Sequence, residues 1–525
     1  VVNVEAVVTD RQGNRVTDLK PADFRLLVDG KEAPIEYFTE VRGGQAVAPE
    51  QGEVSTGVPG LASLAPGSPV GTSYLVFIDD FFSIAQRRNE VLRKLQDDLG
   101  RLGPEDRMAI VAYDGRDLTM LSTWSDSAHD LNRALQQAIA RPARGLERVT
   151  ELHTFESSRR FSAGAGPGVG SPRSATANIL SFEERDYAQL LARQISDEVA
   201  AASSTLRSFA APPGRKVMLL LSGGWPFRTV DYVVNSFTRT IMTREAPEGE
   251  ELLRPLTRTA NLVGYTLYPV DVPGVEAASA DASEPGVAPS STASSTSLGS
   301  STLREREIED SLDYIAKETG GRPLVNGLRE AAFEQAAGDT RSYYWLGFTP
   351  NRQRNDKRHV VRVEVRRPGL SVRSRDSFFD FSREAETSMI VESAMLFGNA
   401  PGAAPMPVEL GTPTRAGRGL LEVPVTLTIP ADAFTPVEMN GKYVAKLELR
   451  IASIDDRGGR SQIPSLTLNL SGDKPPAPGS TLPYPTKLHL RDAFQHLVFA
   501  VFDPLSGKVT LAQADLVPPG AQKRR

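Results

Sequence analysis

The hydrophobic pattern changes period twice along the chain. Over residues 1–42, Val4, Ala6 and Val8, and later Phe24, Leu26 and Val28, alternate with polar neighbours, broken by turn residues at Asp10 to Gly13 and at Asp29-Gly30. A period of two with such punctuation predicts a β-meander. From Tyr74 the pattern becomes a continuous apolar run, Tyr74-Leu75-Val76-Phe77-Ile78, closed by Asp79-Asp80. Val91, Leu92, Leu95, Leu99 and Leu102 then recur at helical spacing. Met108 to Tyr113 reads as a second buried strand, Leu118 to Leu121 as a short third, and a helix is expected after the N-cap pair Ser125-Asp126. Tyr187, Leu191, Ile195, Val199 and Leu206 predict a long amphipathic helix. Further strands are expected at Val217 to Leu221, Tyr265 to Val270 and Pro323 to Val325, with helices around 229–262 and 303–319. Apolar strands that alternate with helices imply a mainly parallel sheet covered on both faces.

From Tyr343 the period returns to two. Val361, Val363 and Val365 alternate with Arg362, Glu364 and Arg366, and similar alternation recurs in Leu421 to Ile429, Ala445 to Ile451, Leu466 to Leu470 and Leu497 to Phe502. Antiparallel strands with one wet face, and a β-sandwich at the end of the chain, follow from this. Residues 43–72, 156–177 and 273–301 are rich in Gly, Pro, Ser and Ala, and 383–415 has weak periodicity. The expected organisation is therefore a β-rich segment at 1–42, a linker at 43–72 and an α/β domain at 73–341 with low-complexity loops near 156–177 and 273–301. A β-hairpin extension at 342–382, a linker at 383–415 and a β-sandwich at 416–525 complete it.

Composition mainly removes options. A chain of 525 residues with 40% hydrophobic and 24% charged residues has material for about three domains. The net charge of −5 gives no footprint for nucleic acid. With no cysteine, disulfide frameworks, thiolate catalysis and Cys-based zinc sites are excluded, while the redox compartment stays open. No stretch approaches the roughly 20 consecutive apolar residues of a membrane span. Val1 opens directly into a strand pattern, which is expected of a chain whose export signal has been removed.

Tyr74 to Asp80 with its following helix, Asp106 to Val111 and Lys216 to Gly224 together resemble the von Willebrand factor A domain. The order of parts is similar to bacterial VWFA-related proteins. Val7 to Asp10 through Asp23-Phe24 to Asp29-Gly30, Ser342 to Phe348 and Val361 to Arg375 extend the likeness to about three quarters of the chain. The resemblance implies a doubly wound, Rossmann-like sheet with flanking β-sandwich parts, residues 1–42 packing with 342–380, and a secreted, periplasmic or cell-surface location. It also implies a role in binding other proteins, as in cell adhesion.

Such domains often carry a metal-ion-dependent adhesion site: Asp-x-Ser-x-Ser after the first strand, a Thr from a second loop and an Asp from a third. A hard cation such as Mg²⁺ takes near-octahedral oxygen ligands there and leaves one position for a partner's carboxylate. In this sequence Asp79 matches the first Asp and Ser83 the last Ser, but Phe81 stands where the first Ser belongs. Ser222-Gly223-Gly224 replaces Thr-Asp-Gly, so Gly223 takes the carboxylate position, and no residue matches the Thr. The motif is degenerate, and no cofactor is expected. Were Mg²⁺ held, it would fall to Asp79, Asp80 and Ser83; the alternative role for these three is to cap the following helix. The edge formed by Asp79, Asp80, Phe81, Ser83, Asp114, Ser222, Gly223 and Trp225 is the expected protein-binding surface.

Other constellations carry less. His129, His153, His359, His489 and His496 show no zinc spacing, and neither a Gly-x-Ser-x-Gly elbow nor a Walker loop is present, so an enzyme is not expected. Basic residues from Arg352 to Arg375 could meet a polyanion, but alternation with valines reads them as the wet face of a hairpin. Two functions remain: a protein-binding module using the sheet edge, and a structural subunit of an extracellular or envelope assembly. The first predicts a recessed, partly apolar edge around Asp79 and Trp225. The second predicts exposed apolar patches or unpaired strands on the β domains.

Overall fold

In a computed structural model the chain is a mixed α/β protein whose described residues form five sheets, one of them mainly parallel. The structure describes residues 2–47, 67, 69–164, 182–209, 215–234, 249–272, 294–325, 331–350, 354–380, 382–397, 403–417, 419–455, 461 and 465–519. Most of the expected 43–72 linker, residues 165–177 of one low-complexity loop and residues 273–293 of the other lie outside these. The chain divides into two compact units, the first Val1–Ser203, Pro212–Arg352 and Arg358–Phe379, the second Ser204–Ala211, Gln353–Lys357 and Asp380–Arg525.

In the first unit the mainly parallel sheet has the strand order Tyr265–Asp271, Arg215–Ser222, Thr72–Asp79, Arg107–Tyr113, Leu118–Ser125. Only the last strand runs antiparallel. The apolar runs follow from burial on both faces. Tyr74, Val76 and Ile78 pack with Leu92 and Leu95 of helix Ala85–Asp97, Leu131 and Leu135 of helix Ala128–Ala140, and Phe333 and Ala336 of helix Ala332–Arg341. Leu75 and Phe77, pointing the other way, are equally shut off from water. From Thr72–Asp79 the chain builds outward first on one side and then on the other. The pairs Ile78 with Leu221 and Asp79 with Tyr113 therefore set Asp79 and Ser222 side by side where the winding direction reverses. Crevices of this kind are where open α/β sheets bind ligands.

The flanking strands of the same unit form two antiparallel sheets. Val2–Thr9 pairs with Tyr343–Phe348 and Ser371–Arg373, Tyr343–Phe348 also pairs with Tyr37–Arg42, and Phe24–Val28 pairs with Lys357–Val365. Val4, Ala6, Leu26, Tyr344, Leu346 and Val361 share one core. The front of the chain and residues 343–373 thus complete one another, as their matching periods require.

Several expectations are corrected. The 383–415 segment contains helix Arg383–Phe397 and the strands Ala404–Pro405, Val408–Leu410 and Thr414–Gly417. Val391, Ala394 and Met395 of that helix pack on Ala452, Val498, Ala500 and Phe502, covering a sheet of the second unit. The helix expected from 303 begins at Ser294, and helix Gly145–Gly164 occupies the first part of the 156–177 loop. Residues 323–325 give only the bridge from Val270 to Leu324. Ser127, not Ser125 or Asp126, is the N-cap: its hydroxyl accepts the Asp130 N–H, while Ser125 accepts the Ser127 N–H. In the second unit, Leu421, Val423, Val425, Leu447, Leu449, Leu497 and Phe499 fill the core between two sheets.

Candidate functional site

Asp79 ends its strand fully buried, and its carboxylate is completely engaged by protein donors. Oδ1 accepts the backbone N–H groups of Phe81 at 3.0 Å and Phe82 at 2.8 Å. Oδ2 accepts the Ser222 hydroxyl at 2.6 Å and the Trp225 indole N–H at 2.9 Å. Burial pushes the Asp79 carboxyl up to about 6; the Phe82, Ser222 and Trp225 donors oppose that, and the Asp80 charge adds to it. Asp80, also fully buried, pairs through Oδ1 with Arg88 and through Oδ2 with Arg141 Nε at 2.8 Å. Burial raises its pKa and the two guanidiniums pull it down.

Trp225 is turned inward by its loop. Gly224, at φ +122, lies against Ile308. The Phe227 N–H bonds the Glu307 carbonyl at 2.9 Å, and Arg228 reaches the Glu307 carboxylate through Nη2 at 2.7 Å and its backbone N–H at 2.8 Å. Trp225 is 1% exposed. Gly223 is packed just as closely: a Cβ there would stand 2.1 Å from the Phe82 carbonyl oxygen. The position where the adhesion motif carries its third-loop carboxylate has no room for any side chain.

These residues do not fit a hard cation. Both Asp79 oxygens face hydrogen-bond donors, Asp80 is held by two arginines, Phe81 offers no oxygen and Gly223 admits no ligand. The capping role is also corrected. Helix Ala85–Asp97 begins after Ile84 with no side-chain cap, Asp79 binds the 81–82 turn instead, and the buried Ser83 hydroxyl has no partner among the described residues. The Ser83 carbonyl accepts the Gly145 N–H at 2.9 Å, tying this loop to the start of helix Gly145–Gly164.

Of the expected edge residues, Asp79, Asp80, Ser83, Ser222, Gly223 and Trp225 are buried, whereas Phe81 and Asp114 reach the surface in part. Arg148 lies over the Phe81 ring at 4.3 Å, and Phe82 meets that ring edge-on at 5.1 Å. The Asp114 carboxylate accepts the N–H groups of Arg116 and Asp117 at 3.0 and 2.9 Å, closing a turn whose Gly115, at φ +89, leaves space for Phe81.

Three residues of this centre were not identified from the sequence. Arg88 and Arg141 stand 8 and 61 positions from their shared partner Asp80. Glu198, on helix Phe182–Ser208, is fully buried with neither carboxyl oxygen partnered among the described residues. Burial first, then the charges of Asp79, Asp197, Asp80 and Asp114, push its carboxyl well above the usual range. Arg88 precedes Val91 and Leu92, and Glu198 follows Ile195, at helical spacing, so each had a legible signal: a charge within an apolar stripe.

Elsewhere the polar candidates are taken up locally. His359 contacts Asp29 at 2.7 Å and His496 contacts Asp515 at 2.8 Å. In the 352–375 stretch, Arg358 pairs with Glu318, Arg362 with Glu364, Arg366 with Glu32, Arg367 with Asp23 and Arg373 with Asp339. Among the described residues no cluster of three or more His, Cys, Asp or Glu is arranged to hold a metal, and no helix is long and apolar enough to cross a membrane.

No family model and no curated protein matches the chain. Among solved structures, a structural-genomics target designated SoR45 shows 19% identity over 23% of this chain and 92% of its own, with a TM-score of 0.15. The VWA domain of SpRpn10 shows 10% identity over 36% of this chain and 94% of its own, with a TM-score of 0.12.

Proposed function

We propose that this chain is a non-catalytic protein-binding module of the von Willebrand factor A type, secreted or held at the cell envelope, whose sheet edge engages a partner without a metal. The observation that carries this reading is the saturation of Asp79 by four donors. In a metal-bearing A domain the cation would present the open coordination position; here the Ser222 hydroxyl and the Trp225 indole occupy the carboxylate instead. The strand order, the reversal of winding beside Asp79 and the sequence resemblance support the A-type assignment, and the location rests on that resemblance. What this edge offers a partner is Phe81 beneath Arg148, together with the turn from Asp114 to Asp117. An aromatic and an arginine are residue types that commonly anchor protein interfaces.

The test places a photo-crosslinking residue at the exposed Arg116 and, for comparison, at the exposed His489 of the second unit, in the cells that make the protein. A discrete adduct from position 116 that also forms in a chelator is the expected result. An adduct that needs a divalent cation would sink the metal-independent reading. Adducts from 489 with none from 116 would move the function to the second reading, a structural subunit. That reading draws on the exposed Leu420, Val437, Met439, Leu466 and Leu505 of the second unit. Against it, strand Thr481–Arg491 carries Pro483, Pro485 and Lys487, residues that blunt a strand edge.

A further inference from the structure

Asp339, on helix Ala332–Arg341, is fully buried and is approached by three guanidiniums from three parts of the first unit. Arg15, just beyond the turn after Val2–Thr9, pairs with Oδ1; Arg373, at the end of Ser371–Arg373, pairs with Oδ2. Arg322, following Gly320-Gly321, places Nε 3.9 Å from Oδ2. The Tyr268 hydroxyl, from the parallel sheet, donates to Oδ2 at 3.0 Å. Three positive charges thus face one negative charge. The fourth nearby guanidinium, that of Arg215, has Glu5 at 3.5 Å and adds no uncompensated neighbour.

Two further observations separate this cluster from an ordinary buried ion pair. Arg15, Arg322 and Arg373 keep 29%, 33% and 27% of their side chains exposed, so the cluster is open to a solute. Arg322 Nε is itself shielded and has no hydrogen-bond acceptor among the described residues, its Nη2 being directed to Gln335. Burial lowers the pKa of all three arginines, to about 10 for Arg15, and Arg373 is the next cause for both Arg15 and Arg322. Guanidinium forks match the oxygens of tetrahedral oxyanions, and a doubly charged oxyanion would balance the two uncompensated charges.

We propose that Arg15, Arg322 and Arg373, assembled around Asp339, form a binding site for a phosphate-type dianion, either free or as the phosphoryl group of a monoester. Asp339 orders two of the forks and the anion bridges all three. The site does not use the Asp79 edge, so its test stands apart from the test of the proposed partner-binding surface.

The experiment is isothermal titration of the full chain with inorganic phosphate and, in parallel, phenyl phosphate, at about pH 8, where both are mainly dianions. Potassium chloride of equal ionic strength is the control. The expected result is one saturable site per chain that weakens about tenfold in Arg322→Gln and in Arg15→Gln, the loss of one charge-assisted fork. Neither variant strips Asp339 of partners, since Arg373 and Tyr268 remain. Binding of both ligands assigns the site to a phosphoryl group in general, and binding of inorganic phosphate alone assigns it to the free ion; both uphold the proposal. An isotherm no different from chloride, or one unchanged in both variants, overturns it. Should a variant fail to fold, the wild-type melting midpoint must still rise with phosphate and not with chloride, and its failure to do so also overturns the proposal.

Discussion

The Asp79–Asp80 pair and Asp339 lie in the same unit and are equally shut off from water, yet their surroundings differ in one respect. Around Asp79 and Asp80 the protein supplies two N–H groups, a hydroxyl, an indole and two guanidiniums, and every carboxylate oxygen is engaged. Around Asp339 it supplies a hydroxyl and three guanidiniums, more positive charge than one carboxylate can balance. In the first centre both carboxylates are satisfied by the chain's own groups, whereas the second carries more positive charge than its one carboxylate balances. A buried charge must be paired, but nothing requires the numbers of the two signs to match when the site touches solvent.

Neutralising each centre separates the two most strongly. Asp80→Asn leaves the fully buried Arg88 without its carboxylate and should cost about 3–5 kcal/mol in denaturant unfolding. Asp339→Asn leaves partly exposed arginines that water can screen, so a smaller loss, about 2–3 kcal/mol, is expected. Phosphate should restore part of that loss and none of the Asp80→Asn loss. Equal losses, with no effect of phosphate on either variant, would mean that the two centres do not differ.

Gly223→Asp places a carboxylate where the adhesion motif of A domains carries one. Because a Cβ at 223 meets the Phe82 carbonyl, the variant should be destabilised by about 1–3 kcal/mol and gain no calorimetric response to Mg²⁺ or Mn²⁺. Tight metal binding in Gly223→Asp, or in the wild type and lost in Asp79→Ala, would show that the Trp225 lock opens.

Glu198 makes the stability of the first unit depend on pH. Its folded-state pKa is raised, so the folded chain holds a proton that the unfolded chain gives up from about pH 4.3 upward. The associated stability is complete below that pH and is lost as pH rises towards the folded-state value. The slope from this one group reaches at most about 1.4 kcal/mol per pH unit. Asp79, raised to about 6, contributes in the same direction between about pH 4 and 6. Unfolding of Glu198→Gln measured from pH 5 to 8 should lack the Glu198 part of the slope, and a slope unchanged from the wild type would remove Glu198 from the centre. Trp225→Phe is the mildest change. Losing one of four donors to Asp79 should cost about 1 kcal/mol and extend the Asp79 part of the pH dependence to higher pH. Unaltered stability and pH dependence in this variant would show that the indole bond is not part of the lock.

The alternating and continuous apolar runs made the strands legible because burial on one face or on two leaves different periods. That Phe81 offers no oxygen ligand and Gly223 no side chain is likewise legible, because a ligand is a matter of residue type. Helix Arg383–Phe397 is not legible in the same way: the consecutive apolar runs Met389 to Val391 and Ala394 to Phe397 blur the helical period, and the sheet beneath Val391, Ala394 and Met395 shows why it is helical. The N-cap falls at Ser127, just beyond the expected pair Ser125-Asp126: all three residue types are competent caps, but Ser125 still belongs to strand Leu118–Ser125.

The residue pattern encodes which stretches are shielded from water, hence the order of most strands and helices. Which charges meet is settled by the folded chain. Arg141 reaches Asp80 across 61 positions, Trp225 reaches Asp79 across 146, and Arg15 reaches Asp339 across 324. Periodicity records a residue's distance from water, which neighbours along the chain share. Charge pairing depends on the closure of loops between distant segments, for which a single sequence carries no local signal.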